Sequence, residues 1–122
     1  MTSKLTADEV ITKVTSGLDQ AEWRYDEDAD EMEIVLAGGD GREGRSILID
    51  DDTFLRLDPE TNQPLSIIVT AWTYWSARQV ATSVPGVMPA TPQTLLRLPQ
   101  QMAQQAVERT VRSSQELAAG VR

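Results

Sequence analysis

The chain has 122 residues, of which 40% are hydrophobic and 25% charged, with a net charge of −8 and neither cysteine nor histidine. That length suits one domain with a real core, while the two missing residue types exclude Cys/His zinc sites, His-activated nucleophiles, iron–sulfur ligation and a histidine pH switch. The charge is split: residues 1–60 carry 17 acidic against 6 basic side chains, a net −11, and residues 61–122 carry 2 against 5, a net +3. In chain order, the first element is a helix. Thr6 stands as N-cap with Glu9 three residues on, a capping box, flanked by Leu5 and Val10 at staple positions. Ala7, Val10, Ile11 and Val14 recur at helical spacing and Gly17 ends the run, so a helix is expected over 7–16.

From Glu22 the period changes from 3.6 to 2. Trp23 and Tyr25 share one side of a first strand and Met32, Ile34 and Leu36 one side of a second, joined by the acidic turn of YDEDADEMEIVL. Gly38, Gly39, Asp40 and Gly41, with Gly44, then supply a turn. A third strand carries Ile47 and Ile49, a fourth Leu55 and Leu57, and a fifth runs from Leu65 to Val69 after the turn at Pro59. The expectation is an α+β fold with a four- to five-stranded antiparallel meander over 22–70. Val35, Leu48, Phe54 and Ile68 fall at the opposite parity. A sheet apolar on both faces needs cover on both, and helices are expected there ahead of a partner subunit.

Trp72, Trp75 and Gln79 line one side of a helix expected over 71–83. The two rings either close the core or form a platform for a partner. Pro85, Gly86, Pro89 and Pro92 mark a hinge over 84–93. Beyond it, 94–122 reads as a helical arm whose apolar stripe of Ala103, Val107 and Val111 is thin. The expected organisation is therefore an α+β domain over 1–83, the hinge, and an outlying C-terminal arm docked on another subunit or partner.

Candidate chemistry is sparse. Asp26, Asp28 and Asp30 imitate the opening of a calcium loop, but Glu31 occupies the place of the required glycine and Ala37 that of the bidentate glutamate. Glu31, Glu33 and the Asp50-Asp51-Asp52 run offer carboxylates without a pocket, as strand-edge protection does. No GxxxxGK[ST] or GxGxxG spacing occurs. No catalytic, cofactor-binding or metal-ligating residue is assigned. Candidate partner-binding residues are Trp72, Trp75, Val107, Arg109, Val111 and Arg112.

Tyr25, Asp26, Ala29, Asp30, Ile34 and Leu36, followed by Asp51-Asp52, Leu57-Asp58 and Ile67, give residues 23–72 a pattern that resembles an uncharacterised bacterial family, domain of unknown function 2283. The chain departs from the family pattern at Glu33, Ile68 and Ala71. The resemblance implies a small compact β-sheet module, found beside toxin-like partners, with no established catalytic residue.

The function expected is that of a non-enzymatic interaction or assembly subunit with a protein partner or further copies of itself, as in a virion or another multiprotein particle. An antitoxin-like inhibitor of a small basic toxin is the alternative, and a small enzyme or ligand-binding domain the second. Acidity argues against nucleic acid. No apolar run nears the ~20 residues of a membrane span, and MTSKLTADEV lacks a secretory pattern, so a cytoplasmic setting is expected.

Overall fold

The computed structural model describes residues 4–83 and 100–121. Its elements are α1 (Ala7–Gly17), a 3₁₀ turn (Leu18–Gln20), β1 (Glu22–Asp26), β2 (Glu31–Val35), β3 (Arg45–Asp50), β4 (Thr53–Leu57), β5 (Pro64–Val69), α2 (Trp72–Ser83), α3 (Gln100–Ser113) and α4 (Gln115–Gly120). The capping box forms as its spacing predicts: Thr6 Oγ1 accepts from Glu9 N at 3.2 Å and Glu9 Oε1 from Thr6 N at 3.0 Å. Val10 and Val14 of this helix are fully buried.

The expected α+β architecture with five antiparallel strands is present, and its strand order is β1-β2-β5-β4-β3. The chain thus departs from an unbroken meander at one step, between β2 and β3. Charge gives the reason. β5, PLSIIV, is the strand without a charged side chain, and five of its six residues are buried. Such a strand gains most from neighbours on both edges, whereas EWRYD and RSILID suit the two margins, where charge discourages edge-to-edge pairing.

To leave β5 its central place, residues 36–44 must carry the chain past two strands, a span of about 14 Å at the usual strand spacing. This loop runs tight against the sheet: a Cβ on Gly39 would stand 2.0 Å from Leu65 O. Glycine is required there for close approach. Arg24 donates to Asp40 at 2.9 Å and Arg56 to Arg42 O at 2.6 Å, while Arg42 pairs with Asp58. The Asp58 carboxylate also accepts from Glu60 N at 2.8 Å and Thr61 N at 3.1 Å, and these backbone donors, with Arg42, hold it below its ordinary pKa.

A single core lies on one side of the sheet. It joins Val10, Val14 and Leu18 to Met32, Ile34, Ile47, Ile49, Leu55, Leu57, Ile67 and Val69, and it takes in Ala106, Val107, Val111, Leu117 and Val121. The C-terminal segment is therefore no outlying arm. Its stripe is thin because small residues let α3 approach closely, and because the apolar face is shared with α4. Ser114 ends one helix and caps the next, accepting from Leu117 N at 3.2 Å. The new axis turns Leu117 inward and lays Gly120 on Ile47, where a Cβ would come within 2.8 Å of Ile47 Cγ2. Arg45 reaches Gly120 O at 3.1 Å. The hinge expected over 84–93 and the beginning of the arm at Thr94 lie outside the described residues.

Leu117→Ala should cost about 2–5 kcal/mol, as buried leucine truncations do. Urea unfolding measures it. A loss within about 0.5 kcal/mol, the range of surface substitutions, would return the C-terminal segment to the status of an arm.

Candidate functional site

The acidic motif that stood out in the sequence is taken up by the fold. Asp26 Oδ1 accepts from Asp28 N at 3.0 Å and Ala29 N at 3.2 Å, closing the β1–β2 turn. Asp30, at a left-handed φ of 53°, directs its carboxylate to the first turn of α2. There it accepts from Thr73 N at 3.2 Å and Thr73 Oγ1 at 2.9 Å, and the Tyr25 hydroxyl donates to it at 2.7 Å. One carboxylate so ties hairpin, strand and helix together. Among the described residues no group of three carboxylates gathers where it could hold a metal ion.

Of the residues proposed from sequence to bind a partner, four lie in the interior. Trp72 and Trp75 are 4% and 1% exposed and stack on each other with centroids 5.1 Å apart, while Trp23 meets Trp72 edge-on at 6.3 Å. These rings close the core. Val107 and Val111 are equally buried, for the packing reason given above. Arg109 and Arg112 sit on the outer side of α3, where Arg112 pairs with Glu108 at 3.1 Å and extends to Thr15. The six do not form one site.

The face of the sheet opposite the core does form a continuous surface. None of Val35, Leu48, Phe54 and Ile68 joins the core, so among the described elements every helix packs on the other side. The expectation of helices on both faces is not met. Strand register places Arg24, Glu33, Ile68, Phe54 and Leu48 side by side, one from each strand. The next row toward the crossover loop is Glu22, Val35, Ser66, Arg56 and Ser46. Beyond Arg24 and Glu33, β1 and β2 end in Asp26 and Glu31 on the same face, whereas a bulge after Leu48 sets Asp50 opposite the buried Thr53.

The crossover loop covers the lower part of this face, leaving Val35 only 6% exposed. Leu48 is 45% exposed and Phe54 and Ile68 are half-buried. Arg24, Asp26, Glu31, Glu33 and Ile68 line a shallow depression of about 250 Å³. At the opposite margin, Leu48, Asp50 and Asp51 face Ser114 and Glu116 across a cleft of about 360 Å³. Two ion pairs join the middle and lower rows, Arg24 with Glu22 at 2.6 Å and Arg56 with Glu33 at 3.8 Å. The signal for this surface was in the sequence, as the opposite-parity residues; what hid it was the assumption that helices would cover them.

Comparison with family models, with curated proteins and with solved structures finds no match.

The Tyr25–Asp30 bond has a pH signature. The carboxylate acceptor, and secondarily burial, raise the Tyr25 pKa above its ordinary value. Its contribution to stability is complete below the unfolded tyrosine pKa of about 10 and is lost as pH rises through the higher folded value. Tyr25→Phe should abolish that alkaline component of the stability–pH curve, and Asp30→Ala should cost about 1 kcal/mol as a lost helix cap. An alkaline profile unchanged in Tyr25→Phe would contradict the assignment.

Proposed function

We propose that the protein is a non-enzymatic, cytoplasmic interaction subunit that seats a protein partner on the face of its sheet that no described helix covers. The observation that carries this reading is the in-register row of Leu48, Phe54 and Ile68, with Leu48 45% exposed. Contiguous apolar side chains left in water and rimmed by charge are characteristic of interaction surfaces. The same row is flanked by groups suited to orientation rather than to catalysis: carboxylates on strand ends, and arginines already engaged with Glu22, Asp40 and Glu33. No helix of the described residues is long and apolar enough to cross a membrane. The resemblance of residues 23–72 to domain of unknown function 2283 supports the same reading, a compact sheet module that works beside another protein.

Affinity capture from the source cells with the native chain, Phe54→Asp and Tyr74→Ala tests the proposal, each protein first checked for a native circular dichroism spectrum. Tyr74 is exposed on α2, outside the strands that carry the apolar row, and serves as the control. A protein retained by the native chain and by Tyr74→Ala, and lost with Phe54→Asp, is the expected outcome. Identical capture by all three would overturn it.

A further inference from the structure

We propose that the occupant of the open face is a basic amphipathic helix of another polypeptide, its apolar ridge on Leu48, Phe54 and Ile68 and its Lys or Arg side chains over the adjoining carboxylates. The inference rests on the reading of this face as the partner surface and adds the partner's chemistry.

Shape sets the first constraint. Three neighbouring strands hold the apolar row, so it is about 10 Å long at strand spacing and one residue deep along the strands. That length equals about two helical turns, and apolar side chains at i, i+3 or i+4, and i+7 present one ridge of that size. A wide apolar sheet would not fit, since the row is bounded along its length by Ser66, Arg56 and Ser46 and ends against Glu33 of β2.

Charge sets the second. Asp26 and Glu31 line the depression at the Ile68 end of the row and Asp50 the cleft at its Leu48 end, and among the described residues none of the three has a salt bridge. The cleft beyond Leu48 adds Asp51 and Glu116. Arg24, the cation within the apolar row's own line, is already held by Glu22 at 2.6 Å and Asp40 at 2.9 Å. The field over the apolar row is therefore negative, which attracts a cationic partner and raises its association rate. A second copy would bring another net charge of −8 to the same place, and an anionic lipid surface or nucleic acid would be repelled.

The test uses the full chain, labelled with ¹⁵N, and two synthetic helical peptides of about four turns with the same leucine ridge. One carries lysine at every flanking position and the other glutamate. The lysine peptide should shift the amides of residues 48, 54 and 68 together with 26, 31 and 50. Its affinity should fall about tenfold, or 1.4 kcal/mol, in Phe54→Thr, and should weaken in Glu31→Gln and with rising salt. Absence of binding, shifts confined to α2 or α3, or equal affinity in Phe54→Thr would overturn the proposal. So would equal or tighter binding of the glutamate peptide at the same residues, although the face would then still be an interaction surface. Concentration-dependent broadening of residues 48, 54 and 68 without peptide would identify the occupant as a second copy and overturn the basic-partner assignment.

Discussion

The central position of β5 is the constraint on which the rest of the structure depends. Ile67 and Val69 bury their side chains in the core, while backbone ladders on both edges join β5 to β2 and β4. Full pairing satisfies every ladder donor and acceptor of a strand too apolar to leave at a margin. From this placement follow the detour of the chain from β2 to β3, the glycines that let the loop lie against the sheet, and the arginines that hold it. Each surface ion pair in that set contributes little alone, so the loop's position rests mainly on close approach at Gly39 and on the Asp58 turn.

A second consequence is asymmetry between the two faces. The helices α1, α2, α3 and α4 crowd one side and share a single core with it. The other side receives the crossover loop over its lower part and has nothing from the described residues over its upper part. Apolar surface left in water is unfavourable by about 25 cal/mol per Å². A row of Leu, Phe and Ile kept there is thus a cost to the free protein that contact with a partner would remove. The acidic turns that border the row are themselves set by folding requirements: Asp26 closes one turn and Asp30 anchors α2. Structure and recognition draw on the same hairpin.

Local structure was legible in the sequence wherever one residue's chemistry decides it. The capping box at Thr6 and Glu9, the alternation in Met32 and Ile34, and the hairpin turn that Asp26 closes each follow from side-chain type and spacing. Strand order was less legible, because Gly38 to Gly44 reads equally as a turn or as a crossing loop; only the uncharged character of β5 tells which. The C-terminal helices were misread through a different cause. Periodicity taken over 94–122 as one helix dilutes an apolar face that Ser114 divides between two axes. The partner-binding residues suffered from the same error, since Val107 and Val111 looked exposed only on a helix standing apart. Conversely, Leu48, Phe54 and Ile68 were visible as a second apolar face, and what sequence could not decide was whether a helix of the same chain lay upon it.

One-sidedness of the sheet is the central claim, and methyl relaxation by a soluble gadolinium chelate tests it most directly. In the native chain at low concentration, the methyl groups of Leu48 and Ile68 should relax strongly, while those of Ile67, Val69 and Leu55, on the opposite face of the same sheet, should be protected. Protection of Leu48 and Ile68 equal to that of Ile67 would contradict the account, because it would place cover on the face described here as open.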